Sequence, residues 1–226
     1  MLEEKTEQLQ SGIKVSGKIG KRTVDQAQSY EQNRFAKRPR GRKLDKIDKA
    51  FAQRMLDMVG LESCIVDVPC GTGRFYNVFS KAKKLIMIDR DPNMLKVLSE
   101  RYVAAENVQL AEGDITSLPL EDNTADLCFC IRLLHHIDSQ DIVLNVLKEL
   151  TRVSRKYVAF SFYNQNCWRY YSRKMRGRKI TGYYYSFDLI NKLAKELGLE
   201  LIQKKPKINL LEQQCLVLFK KVGSSI

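Results

Sequence analysis

Long hydrophobic runs, scattered histidines and Cys-x-x-Cys pairs are all missing from this 226-residue chain. With no stretch of about eighteen apolar residues, no helix is expected to cross a membrane. The first residues include Glu3 and Glu4 and no apolar core, which predicts no secretory leader. Six cysteines, at 64, 70, 128, 130, 167 and 215, include no Cys-x-x-Cys pair. Three or four of them fall in apolar runs, so reduced thiols and a cytoplasmic setting are expected, not a disulfide framework or zinc site. The only histidines are neighbours, His135 and His136, which predicts no metal centre. Two phosphate-binding signatures are absent as well. A dinucleotide fingerprint G-x-G-x-x-G starting at Gly71 needs glycine at 76, where Tyr76 stands, and no Gly-Lys-Ser/Thr P-loop exists.

What is present is a strand-turn-helix signal. Ile65-Val66-Asp67-Val68-Pro69-Cys70-Gly71-Thr72-Gly73 is an apolar run entering a small-residue turn. Gly71 and Gly73 allow close approach of a ligand to the backbone. A second apolar run ends in Asp89, eighteen residues after Gly71, where a carboxylate suits a ribose diol. With no pyrophosphate signature, the remaining reading is an adenosyl cofactor.

These residues resemble the class I (Rossmann-like) S-adenosylmethionine-dependent methyltransferases. Their motif D/E-x-G-x-G-x-G is matched from Asp67 to Gly73, with Pro69 in place of the first glycine. Proline fixes φ and removes an N–H, so the turn is tolerable where that N–H binds nothing. Lys84 to Asp89 resembles the second strand and its ribose-binding acid, and Glu112-Gly113-Asp114-Ile115 the adenine loop. Leu127 to Ile137 resembles the fourth strand and its exit, with Ile131 beside the cofactor. The resemblance covers about residues 63–163. It implies S-adenosyl-L-methionine as cofactor and a doubly wound, mostly parallel seven-stranded α/β sheet. It also implies that Asp89 takes the ribose hydroxyls, that Asp114 accepts from the adenine amino group and that Ile115 packs on the ring. Asp67 would either orient a water near the cofactor's amino group or tie the turn backbone.

The order of elements agrees. Leu44, Ile47, Phe51, Met55 and Met58 recur at helical spacing before the first strand. Asp91-Pro92 is an N-cap with proline at the first helical position. Val108–Leu110 forms a third strand, Ile142 to Val153 a helical stripe, and Tyr157–Phe162 a fifth strand. Leu199–Gln203 and Gln214–Phe219 read as a closing pair that supplies the antiparallel strand of the family. Residues 1–28 are polar and are expected to be a flexible extension; residues 29–226 form the domain, with a basic and aromatic insertion at 163–185.

Charge divides unevenly. The overall +13 resolves into 14 basic against 8 acidic side chains over residues 1–60 and 9 against 14 over 61–150. Residues 151–226 hold 16 basic and 4 acidic side chains. The basic excess thus flanks the cofactor motifs, which is either a generally basic surface or the mark of a polyanionic partner. Lys37-Arg38-Pro39-Arg40-Gly41-Arg42-Lys43 reads as a solvated linker or phosphate contact, since its Pro and Gly oppose helix. Tyr30 to Phe35, just before it, reads as a short lid. Cys167 to Lys179 places Trp168, Tyr171 and Met175 at helical spacing among arginines and lysines. That suits a cap over the acceptor pocket or peripheral contact with a membrane.

A sulfonium methyl is already activated, so the chemistry needs alignment more than a catalytic triad. The N/D-P-P-Y/F motif of base and amide methylation is missing. His135 and His136 occupy its place, either of them a candidate general base. Tyr163 and Asn164 are candidate pocket residues. The expected acceptor is a small or lipid-like molecule, anionic and phosphate-bearing compounds included. RNA is the alternative, and a non-catalytic cofactor-binding partner subunit is a second one.

Overall fold

The computed structural model describes residues 22–102, 105–205 and 213–223. Helix α1 (Val24–Glu31) passes through a π-helical turn at Gln32–Ala36 into α2 (Pro39–Val59). Then come β1 (Cys64–Asp67), α3 (Tyr76–Phe79), β2 (Lys84–Asp89), α4 (Pro92–Arg101) and β3 (Val108–Glu112). Strand β4 (Ala125–Cys130) leads through a 3-10 turn at Leu134–His136 to α5 (Gln140–Val153) and β5 (Ser154–Asn164). The chain closes with α6 (Trp168–Met175), β6 (Tyr184–Tyr185), α7 (Phe187–Glu196), β7 (Leu199–Lys205) and β8 (Gln214–Lys221).

The strands form one sheet in the order β3-β2-β1-β4-β5-β8-β7, with the short β6 beside β5. Strands β1 to β5 pair in parallel, and β8 runs antiparallel to both β5 and β7. This is the expected doubly wound α/β architecture, with the closing pair supplying the antiparallel strand. Helices cover both faces, so the central strands read as continuous apolar runs. Alternation along each strand then divides the core. Val66, Ile86, Cys128 and Phe160 pack under α5 and α7, while Ile65, Leu85, Leu127 and Phe129 pack under α2 and Phe79. All six cysteines are free and five of them are buried. Among the described residues, no helix is long and apolar enough to cross a membrane.

Helix starts follow their caps. The Asp91 carboxylate accepts from Asn93 N–H with Pro92 at the first position, and Ser139 and Ser186 cap α5 and α7 in the same way. Chain reversal at β1 places β2 on one side and β4 on the other. The crevice at their carboxyl ends is where open α/β sheets bind ligands.

Four local expectations change. Residues 1–21 of the expected flexible extension lie outside the described residues, but Val24 to Gln28 belong to α1. Its Ala27 packs on Met94 and Val97 of α4. The basic run 37–43 is not a linker: Pro39 opens α2, since proline costs nothing at a first helical turn. Gly41 lies inside that helix because a Cβ there would stand 2.3 Å from the Arg34 carbonyl oxygen. The absent side chain is what lets α2 fold back on the π turn. Strand β5 runs two residues beyond Phe162, so Tyr163 and Asn164 are strand residues. Met58 faces solvent and lies outside the helical stripe's buried face.

Because the blocking atom is backbone, Gly41→Ala is expected to cost about 1–3 kcal/mol of folding stability. Urea denaturation monitored by circular dichroism measures this, and an unchanged midpoint contradicts the packing account.

Candidate active site

The turn after β1 is stitched to its neighbours by backbone bonds. Val68 N–H donates to Phe129 O and Cys70 N–H to Ile88 O, both at 2.9 Å. Gly71 N–H donates to Asp89 Oδ2 at 2.8 Å, and Asp91 N–H to Asp89 Oδ1 at 2.9 Å. One carboxylate thus holds the glycine turn and the start of the β2–α4 loop together. Each of its oxygens retains a second lone pair toward the cavity. Burial raises the Asp89 pKa, and the two backbone donors work against that rise.

A single cavity opens above this turn. Its wall includes Gly71, Asp89, Asp114, Ile115, Ile131 and His136, all of them expected from the sequence. Asp114 Oδ1 is engaged by Thr116 N–H and hydroxyl at 2.8 and 2.6 Å, which fixes the loop shape. Gly71 has φ +57° and open space where its Cβ would point, as a surface for a closely approaching ligand requires.

Asp67, Gly73 and His135 do not line the cavity. Gly73, at φ +85°, is small because a Cβ would meet the Tyr102 ring at 2.8 Å. It serves packing of the turn on α4, not ligand approach. Tyr76, the residue that ruled out a dinucleotide fingerprint, stacks on the same Tyr102 at 4.1 Å between ring centroids. Asp67 is buried beneath the turn, and neither of its oxygens has a hydrogen-bond partner. It does not tie the turn backbone. Burial first and the Asp89 charge second raise its pKa well above the usual carboxylate range. A buried acid left this way is suited to a donor arriving with a ligand.

His135 is buried between His136 and Tyr163, with ring centroids 4.0 Å from each. Burial and the neighbouring His136 lower its pKa well below that of a free imidazole. His136 stands on the wall. Burial and the charges of Arg34, Arg22 and Arg132 push its pKa down to about 4.

The sequence reading missed the group that organises this wall. Asp48 of α2 is fully buried. Its Oδ2 accepts from Arg74 Nη2 at 2.7 Å and Arg132 Nε at 2.9 Å, and its Oδ1 from Gln214 Nε2 at 3.0 Å. Arg74 also pairs with Asp45 at 2.8 Å. Phe35 closes over the pair, its ring 3.9 Å from the Arg74 guanidinium carbon and 5.4 Å from that of Arg132. Arg132 sits at φ +68°, uncommon for a residue with a Cβ, and its N–H donates to Ser161 Oγ at 2.8 Å. Arg132 lines the cavity, and its Nη2 is buried with no partner. The available signal was Asp48 itself, an acid on the apolar face between Ile47 and Phe51. Tyr30 and Phe35 also line the cavity, as the expected lid does. No residue of 163–185 lines it, so the insertion does not cap the pocket.

Residues 65–156 match the family model described as a methyltransferase domain. The chain is 29% identical over 193 residues to a malonyl-[acyl-carrier protein] O-methyltransferase of Marinomonas, covering 79% of this chain and 70% of that one. It is 37% identical over 111 residues to the demethylmenaquinone methyltransferase of Staphylococcus carnosus, covering 46% and 45%. It spans only 34% and 35% of two other curated relatives. In fold it is similar to the magnesium protoporphyrin IX methyltransferase of Synechocystis solved with bound S-adenosylhomocysteine. That similarity has a TM-score of 0.67 at 11% identity and covers 96% of this chain and 94% of that one. Residues 65–156 thus match a methyltransferase domain, on a fold shared with a methyltransferase solved with S-adenosylhomocysteine, the demethylated product of the donor S-adenosylmethionine. The wall residues would fit that donor: Gly71 leaves open space for close approach, and Asp89 keeps lone pairs beyond its two backbone bonds for the ribose hydroxyls.

Removing the Asp48 carboxylate leaves the buried Arg132 guanidinium without its counter-charge and Arg74 with Asp45 alone, so Asp48→Ala is expected to lose about 3–5 kcal/mol in chemical denaturation. The histidine wall sets a pH window. An unfolded His136 takes up a proton near pH 6.5 and the folded one only near 4, so its contribution is present above 6.5 and lost as pH falls toward 4. His136→Gln should flatten that part of the stability profile by up to about 3 kcal/mol.

Proposed function

We propose that this chain transfers the methyl group of S-adenosylmethionine to an anionic small-molecule or lipid-like acceptor, with His136 as general base. The observation that carries this is the cavity wall, where Arg22, Arg132 and His136 line one space and, after burial, the charges of Arg34, Arg22 and Arg132 lower the imidazole's pKa. Acceptors named for two relatives, a malonyl-acyl carrier protein and a demethylmenaquinone, are a carboxylate and a lipid-like compound and support the same class.

Bound S-adenosylmethionine supplies a sulfonium-activated methyl. The protein's part is to align and to exclude water. Asp89 and the Gly71 turn orient the donor, and Phe35 and Tyr30 cover the cavity from the α1–α2 side. The arginine wall takes the acceptor's negative group. His136 would hold the proton that the accepting heteroatom gives up. With a pKa near 4 the free imidazole is neutral but a weak base. An anion bound among the three arginines offsets their charge and raises that basicity, so the proper acceptor activates the base.

Transfer of labelled methyl into fractionated lipid, small-molecule and RNA pools tests this reading. Label is expected in an anionic small-molecule or lipid fraction, and His136→Gln should lower kcat by about 10²–10⁴. Asp89→Ala should weaken donor binding by about ten- to a hundredfold, and undiminished affinity would sink the ribose assignment. Label confined to RNA replaces the acceptor class, and donor binding without transfer to any pool points to the non-catalytic alternative.

A further inference from the structure

Helix α6 leaves its outer face bare. Trp168, Tyr171 and Met175 are 60%, 44% and 71% exposed, and no residue of the helix is buried. At i, i+3 and i+7 they form one continuous stripe. Other large exposed apolar side chains, such as Met58, Leu61 and Leu110, stand singly elsewhere. The helix is attached through its opposite side, where the Tyr170 ring lies 5.0 Å from Tyr184. Tyr184 lies 5.4 Å from Tyr163, which stacks on His135.

Charge is concentrated beside the stripe. Arg173, Lys174, Arg176, Arg178 and Lys179 lie within seven positions, and no acid occurs anywhere from Lys156 to Phe187. Arg169 of the same helix is pushed below the usual arginine range by burial first and then by the Arg40 charge. In the second basic run, Lys37, Arg38, Arg40, Arg42 and Lys43 are all exposed. Neither basic segment lines the cavity.

We propose that α6 docks on an anionic lipid bilayer, its Trp168–Tyr171–Met175 stripe entering the headgroup–acyl boundary and its basic residues meeting lipid phosphates. A basic helix with an aromatic and aliphatic stripe lies in the interface plane in this way, drawn by anionic lipid and held by apolar burial. A nucleic-acid track has cations and stacking faces as its requirements. Met175 is the most exposed of the three and offers no stacking face, and the aliphatic end of the stripe fits lipid. The helix has only 8 residues, so attachment is reversible and sensitive to salt. The inference is independent of which acceptor is methylated. It also places the cavity wall close to the membrane, since the aromatic contacts run from Tyr170 through Tyr184 and Tyr163 to His135.

Trp168 is the sole tryptophan, so its fluorescence reports the stripe directly. The full chain is mixed with vesicles of phosphatidylcholine, with and without phosphatidylglycerol, at low and high salt. Cosedimentation and a blue shift of Trp168 emission are expected with the anionic vesicles at low salt, and both are lost at high salt. Tyr171→Ser with Met175→Ser should lower partitioning about tenfold. Arg176→Gln and Arg178→Gln should each lower it about fivefold. Donor binding should be unchanged in these variants, which shows that they fold. An unshifted Trp168 emission with anionic vesicles, or binding that ignores the serine pair, overturns the proposal. So does binding to a transfer RNA with none to vesicles.

Discussion

The arginine wall of the cavity hangs on one buried carboxylate. Asp48 joins α2 to the turn after β1 through Arg74, to the exit of β4 through Arg132, and to β8 through Gln214. An ionised group taken out of water is costly unless its lone pairs are satisfied, and here two guanidiniums and an amide satisfy them. The arrangement also fixes direction. Arg132 spends its Nε on Asp48, which fixes the guanidinium, while the Phe35 ring lies over both arginines. A wall of mobile cations in water becomes a wall of placed ones.

The cavity that results has two electrical sides. Its floor comes from the acidic middle of the chain, with Asp89, Asp91 and Asp114 at the ends of β2 and β3. The same lining holds Arg22, Arg74, Arg90 and Arg132, three of them from that same middle stretch. The cavity's division of charge is therefore made by the fold and is not a copy of the uneven charge along the sequence. Such a division suits a donor whose reacting centre is cationic before transfer and neutral after it. It also accounts for His136, whose proton affinity is governed by what occupies the wall.

Apolar runs, caps and the glycine turn were readable because each depends on near neighbours in sequence. Val66 and Ile65 had to face opposite layers whatever lay above them, and Asp91-Pro92 could only begin a helix. What was hidden depends on distant partners. Gly41 reads as a helix breaker until the Arg34 carbonyl is set against it. Gly73 resembles a ligand-contact glycine, yet Tyr102, on the far side of β2, decides its size. His135 and His136 are equivalent as text, and only the fold buries one against Tyr163 and sets the other on the wall. Asp48 was the clearest missed signal, because an acid on an apolar stripe must have a partner that the stripe does not name.

The α1 segment is fastened differently from the rest. Its apolar anchor is a small separate cluster of Ala27, Met94 and Val97, backed by Arg22 N–H on Asp91 and Asn93 on the Arg22 carbonyl. The two large clusters under the sheet do not include it. Helix α1 therefore rests on α4 and the β2–α4 loop alone, and the cavity it borders is shaped on that side by one small contact patch and not by the cores under the sheet.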